Sequence, residues 1–450
     1  MAASMWLGLL LLFAVSSVSL AWQPVDPAVV AQQARAAMTA GRFAEAAGLY
    51  RTVVKQLPAV GGMRLNLGLA LFQSGEHRAA AAEFQAALKL DPRLAPAAMM
   101  LGLCHAKLGE PLAAIPLLER ALAREPGNTV VLLELADAYY AAGRFAEAVE
   151  HFRRLTALQP ANALAWRGLG LSLTELSQSL FAQLTPGSAE ALTLLARARM
   201  AADEPKAAYS LLRQAIAKEP GFGPAYGYLA ALYRKMGHAD WAEAAMAKAG
   251  LAPARFAAVV AASDDALAAL ERLAALGPSA ALHETEAEAA RARGAYPEAI
   301  ALFRKALALQ AGAAPLERGL ARALFASRAY EEALPLLRKH KLTFELGTAL
   351  LETGKAAEAI PHLLGVRTAA GQAALGRAYL GADQPAKAVG PLRAGLASDT
   401  DGSVHFQLAR ALQRTGATAQ AQEMDRVSQQ MRQRKAEQQE AAGAVAVEPL

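Results

Sequence analysis

The chain has 450 residues, 54% of them hydrophobic but only 6% aromatic, and a formal net charge of +6. That length exceeds what one globular core usually serves, and an apolar fraction dominated by alanine and leucine suits close helix packing rather than strands. The basic excess is diffuse, with no Lys/Arg run interleaved with aromatics, which excludes the electrostatic footprint of a nucleic-acid binder.

Residues 1–21, MAASMWLGLLLLFAVSSVSLA, contain no charged side chain. Met5 to Val15 form an apolar core of signal-peptide length, and Ser19 and Ala21 are the small residues that a cut after Ala21 requires. The expectation is a signal peptide over 1–21 and an exported chain, periplasmic or secreted. No Lys or Arg precedes the apolar core, so an uncleaved N-terminal anchor is the alternative. Membrane contact is expected only in that case. No Cys follows the core, so this is not a lipoprotein signal.

From there the chain repeats itself. Gly75, Gly109 and Gly143 recur at a step of 34 residues, as do Ala80, Ala114 and Ala148, and Pro92, Pro126 and Pro160. Gly41, Ala46 and Pro58 add an earlier copy. A fixed period of this size signals stacked supersecondary units. In MRLNLGLALFQSGEHRAAAAEFQAALKLDP, Leu67, Gly68 and Leu71 share one face of a first helix, which Gly75 ends. A second helix carries Ala80, Phe84, Ala87 and Leu88 at steps of three and four, and Asp91-Pro92 stops it. The small residues let two helix backbones approach, and the large ones fill what remains.

This order of Leu-Gly, aromatic or Leu, Gly, Ala, Phe, Ala and Pro resembles the tetratricopeptide repeat. Four copies keep phase over residues 27–160, and Trp166, Leu169 and Gly170 open a fifth. The resemblance implies an all-α fold, an α-solenoid or superhelix of about eleven antiparallel helix pairs. Residues 161–250 hold both degenerate and regular copies, among them Ala208/Leu212/Ala215/Pro220 and Leu229/Ala230/Tyr233/Gly237/Ala242. The phase breaks near 175–188 and again over 251–279, which is expected as an irregular helical segment. Residues 280–425 resume with copies centred on Gly294/Ala299/Phe303, Ala333, Gly354/Ala359, Gly376/Ala388 and Gly416/Ala421. Residues 426–450 read as a polar capping helix and a disordered tail, AAGAVAVEPL.

No catalytic constellation emerges. Haem attachment at LGLCH lacks the second Cys, since Leu101 stands three before Cys104. His283-Glu284 lacks a second His at 287, which is Ala. Thr353-Gly354-Lys355 lacks the upstream Gly of a phosphate loop, and no Gly-x-Ser-x-Gly elbow occurs. The eight histidines lie scattered through the repeats without ligand spacing. Cys104, the only cysteine, reads as a packed, inert thiol. The expectation is no enzyme, no cofactor and no metal.

Function is then expected where the copies differ. First helices line the concave side of such a stack, and their variable inward positions hold Leu65, Leu69, Phe72, Met99, Leu103, Leu133 and Tyr140. These make an apolar groove unless a neighbouring helix covers them. Further along the same positions turn basic, at Arg167, Arg197, Arg234, Lys235, Arg318, Arg322, Arg377 and Arg410, interrupted by Glu284 and Glu288. A protein partner offering an apolar or amphipathic segment with acidic flanks would suit this pattern. The chaperone-carboxylate clamp of some members of that family needs inward Lys and Asn, where this chain has Leu69, Leu103 and Asp137. The alternatives are an envelope enzyme or enzyme subunit with a site assembled across repeats, and a membrane-tethered assembly factor.

Overall fold

The computed structural model describes residues 26–443 and residue 448. The expected signal peptide lies outside the described residues. Among those residues there are 24 α-helices, one short 3-10 turn and no strand, so the fold is all-α. No described helix is long and apolar enough to cross a membrane. The chain divides into two compact units, Met1–Arg144 and Phe145–Leu450.

The first unit holds α1 (Pro27–Thr39), α2 (Phe43–Gln56), α3 (Gly61–Gln73), α4 (His77–Leu90), α5 (Ala95–Lys107), α6 (Pro111–Arg124) and α7 (Thr129–Ala141). The Asp26 carboxylate accepts from the Ala28 N–H at 2.8 Å and starts α1. Each helix packs against the next in sequence. Gly75, at φ +84°, turns the chain between α3 and α4, where the Glu76 N–H returns to the Leu71 carbonyl at 2.9 Å. Phe84 is fully buried, and a Cβ placed on Gly68 would fall 2.5 Å from its ring. The glycine is therefore the hole for the aromatic knob, which is why the repeat keeps both.

In the second unit α8 (Phe145–Leu158) packs on α9 (Ala163–Ala182). Here the serial order stops. The helices α10 (Ala189–Ala201), α11 (Pro205–Lys218), α12 (Gly223–Lys235) and α13 (Ala239–Met246) intervene before α14 (Ala254–Ala275), and it is α14 that lies along α9. Ser177 Oγ donates to the Val259 carbonyl at 3.2 Å, while a Cβ on Gly170 would meet Leu270 at 2.6 Å, so the two helices run antiparallel. Arg153 on α8 reaches Asp265 on α14 at 2.5 Å. Thus α14 is the second helix of the fifth pair, and α10–α13 are an insertion within that pair. The insertion has its own core, built on Leu192, Leu212, Leu229 and Tyr233 and closed by Phe256 and Val259 of α14. This accounts for both breaks of phase, and the segment expected as irregular, 251–279, is chiefly the single helix α14.

Consecutive pairs then resume: α15 (Ala280–Ala292) with α16 (Tyr296–Leu309), α17 (Ala314–Ala326) with α18 (Tyr330–Lys339), and α19 (Thr343–Glu352) with α20 (Ala356–Leu363). They continue with α21 (Ala369–Gly381) and α22 (Pro385–Gly395), and with α23 (Ser403–Arg414) and α24 (Thr418–Gly443). The capping helix begins at Thr418, earlier than the expected 426, and buries Ser428, whose hydroxyl donates to the Gly402 carbonyl at 2.7 Å. In the tail read as disordered, the Glu448 main chain bonds to Tyr209 and Tyr233.

Candidate functional site

Within the first unit the first helices also lie against one another, α3 beside α5 and α5 beside α7. The period of 34 then aligns their variable positions in rows across three helices: Leu65, Met99 and Leu133; Leu69, Leu103 and Asp137; Phe72, Ala106 and Tyr140. Leu65, Leu69, Phe72, Met99, Leu133 and Tyr140 are half-buried. They are neither the floor of a sealed core nor freely solvated. Leu103 differs. It is only 7% exposed, because α5 is the middle helix with a first helix on either side, so it belongs to the core rather than to a groove. The Phe72 ring packs on the His77 ring at a centroid distance of 5.0 Å. Met99 lines a small hollow of about 140 Å³ with Arg120 and Arg124.

The basic residues are distributed otherwise than the sequence suggests. Arg167, on α9, pairs with Glu284 on α15 at 2.7 Å, and both side chains are largely buried. Arg197, on α10, belongs to the insertion and pairs with Asp264 on α14. Arg377 pairs with Glu352 at 2.5 Å and Lys235 with Asp203 at 2.6 Å. Arg322 is half exposed, and its contact with Glu345 is loose at 3.7 Å. Half of the cationic run is therefore closely matched internally, which the sequence hides because the acidic partners lie 25 to 117 residues away.

Cys104 is fully buried, and burial pushes its thiol up to about 12. At neutral pH it carries almost no thiolate and acts as a small apolar side chain. Among the described residues no group of three or more His, Cys, Asp or Glu is placed to hold a metal ion.

A hollow that the sequence did not reveal lies where the insertion meets α9 and α14. Its volume is about 640 Å³, and Phe181, Leu194, Leu195, Val259 and Leu267 line it beside the Arg197–Asp264 pair. Leu195 and Leu267 are exposed at 43% and 58%, so an apolar wall faces solvent here. It forms because α9 and α14, at 20 and 22 residues, outrun the 13–14 residues of the helices in the regular pairs.

Models of the tetratricopeptide repeat match residues 105–170 and 290–345 in one form, and 32–96, 65–129 and 263–314 in another. No curated protein matches the chain. Among solved structures, MamA from AMB-1 is similar at 23% identity over 34% of this chain and 84% of that one, with a TM-score of 0.32. A further MamA structure is 21% identical over 43% of this chain and 92% of that one, with a TM-score of 0.31. YrrB, described as a TPR protein with an unusual peptide-binding site, is 18% identical over 44% of this chain and 90% of that one, with a TM-score of 0.31.

Proposed function

We propose that this chain, a tetratricopeptide-repeat protein, is a scaffold for protein–protein interaction whose first unit binds an apolar or amphipathic peptide segment of a protein partner. The observation that supports this is the set of half-buried apolar side chains on α3, α5 and α7 at positions the repeat does not specify: Leu65, Leu69, Phe72, Met99, Leu133 and Tyr140. A peptide helix laid on them would bury its apolar face, with Phe72 and Tyr140 as anchors of large area and few rotors. Acidic flanks are not part of this proposal, because Arg167, Arg197 and Arg322 have carboxylate partners within the second unit. Selecting a displayed library of random peptides on the full chain tests the reading. The expected survivors carry apolar residues at helical spacing and lose about 2–4 kcal/mol of affinity for the Phe72→Ser/Tyr140→Ser variant. Unchanged affinity in a variant that retains its helix content overturns it.

We further propose that the protein acts after export, on the strength of the Met5–Val15 apolar core with Ser19 and Ala21. N-terminal sequencing of the native protein is expected to begin at Trp22, and a retained Met1 argues for the anchor instead.

A further inference from the structure

The insertion departs from the repeat at one position where packing gives no reason for it. In most second helices the residue after the small Ala of the repeat is aliphatic, as in Ala47, Ala81, Ile115, Val149, Ile300 and Leu334. In α11 it is Tyr209, only 5% exposed, and it faces Tyr233 of α12, which is fully buried, at a ring distance of 6.3 Å. A phenol placed where apolar side chains suffice brings a hydroxyl that must find a partner. Tyr139, at the place in α7 that corresponds to Tyr233, gives its hydroxyl to the Glu119 carboxylate of its own unit.

Tyr209 and Tyr233 give theirs to main chain. The Tyr233 hydroxyl donates to the Glu448 carbonyl at 2.7 Å, and the Tyr209 hydroxyl donates to the same oxygen at 3.0 Å. The Glu448 N–H in turn donates to the Tyr209 hydroxyl at 3.1 Å. One carbonyl has lone pairs for two donors, and one hydroxyl can give and take a bond, so both polar groups of a single peptide residue are satisfied by two side chains. Burial first, and then the neighbouring Tyr209, push the Tyr233 phenol up, so it keeps its proton and remains a donor at physiological pH. The Arg213 guanidinium lies 6.0 Å over the Tyr209 ring.

We propose that Tyr209 and Tyr233 form a docking site for a peptide main chain, and that its occupant is this chain's own segment 444–450, Ala-Val-Ala-Val-Glu-Pro-Leu. The bonds go to N–H and C=O and not to a side chain, so the hydroxyls fix position rather than read sequence. Tethering raises the effective concentration of the segment at the site, so a competing peptide must displace it. The site belongs to the insertion and stands independently of the groove residues on α3, α5 and α7.

The probe is the synthetic peptide Gly-Ala-Val-Ala-Val-Glu-Pro-Leu, labelled at its N-terminus and followed by fluorescence anisotropy. A chain shortened to end at Gly443 is expected to take it up saturably, and the full chain at least roughly tenfold more weakly because its site is occupied. Tyr209→Phe with Tyr233→Phe keeps both rings and removes both hydroxyls, and is expected to cost the shortened chain roughly tenfold or more. Phe72→Ser/Tyr140→Ser should leave this uptake unchanged, which separates the site from the groove. Amide exchange at Glu448 provides a reading within the intact chain: at least roughly tenfold protection is expected, lost in the double Phe variant. Equal uptake by full and shortened chains overturns the proposal, and so does a Glu448 amide that exchanges at the rate of an unstructured peptide.

Discussion

The regular stack of the first unit and the α9–α14 region of the second are made of the same helix pair but assembled differently. In the first, each helix packs on the next in sequence, so a period in space is also a period along the chain. In the second, α9 finds its partner only after the four helices α10–α13. The lesson is that a sequence period reports packing between sequence neighbours and is silent where the same packing is made at a distance. The two arrangements should also fail differently. In the regular stack, contacts are local and damage stays local. In the α9–α14 pair, loss of one helix exposes another some 90 residues away.

Two core truncations set these modes against each other. Phe84→Ala removes a fully buried ring that fills the hollow over Gly68 and is expected to cost about 3–5 kcal/mol. Hydrogen exchange should quicken in α3, α4 and α5 and leave α9 as it was. Leu273→Ala empties a fully buried position on α14 and is expected to cost about 2–5 kcal/mol. Here exchange should quicken in α14 and, with it, in α9 around Gly170 and Leu173. Quickening confined to 254–275 and its sequence neighbours would show that α9 and α14 are not one cooperative pair.

The same contrast explains what could be read from the sequence. The all-α fold, the helix pairs and the Phe84–Gly68 knob were legible because a knob, its hole and a glycine turn each fix a residue type. The degenerate copies were hard to place because their turns use other residues. Asp203, Arg328, Lys341 and Asp383 stand at positive φ between 53° and 64°, the conformation that Gly75 and Gly109 adopt elsewhere. Geometry persisted where its signature had gone. The site was less legible than the fold. Periodicity named the rows of Leu65, Phe72 and Tyr140, but it could not show that Leu103 is buried or that Arg167 and Arg197 have carboxylate partners. Nor could it show what Tyr209 and Tyr233 bind, since Glu448 lies more than 200 residues on.

A smaller effect tests that account of the turns. Arg328 holds φ at +64° between α17 and α18, where a side chain is strained and glycine is not. Arg328→Gly is expected to stabilise the second unit by about 1 kcal/mol, after allowing for the greater freedom of glycine in the unfolded chain. Chemical denaturation of the full chain measures it. The converse change in the regular stack, Gly75→Arg, should destabilise the first unit by about 1–2 kcal/mol. If both substitutions are neutral, the turn conformation is not what separates legible copies from degenerate ones.

The smallest effect concerns charge at the border of α9 and α15. An ion pair such as Arg167–Glu284 is commonly taken as a clamp, and in that case the Glu284 carboxyl would be pulled below its ordinary range. It is instead raised: burial is the dominant cause, Arg167 opposes it, and Glu288 reinforces it. The sign then follows. A group whose folded value lies above its unfolded one, ordinarily near pH 4.3, contributes stability that is complete below the unfolded value and is lost as pH rises through the folded value. Glu284→Gln removes that titration while keeping an acceptor for Arg167. Its pH-independent cost cancels when stabilities are compared between pH 4 and pH 7 in denaturant titrations. The variant should gain on the unmodified chain as pH rises over that interval. The opposite trend would mean that Coulomb attraction outweighs desolvation and that the pair does clamp α9 to α15. With the expected trend, Arg167 and Glu284 hold two first helices in register at the expense of stability, as buried pairs often do.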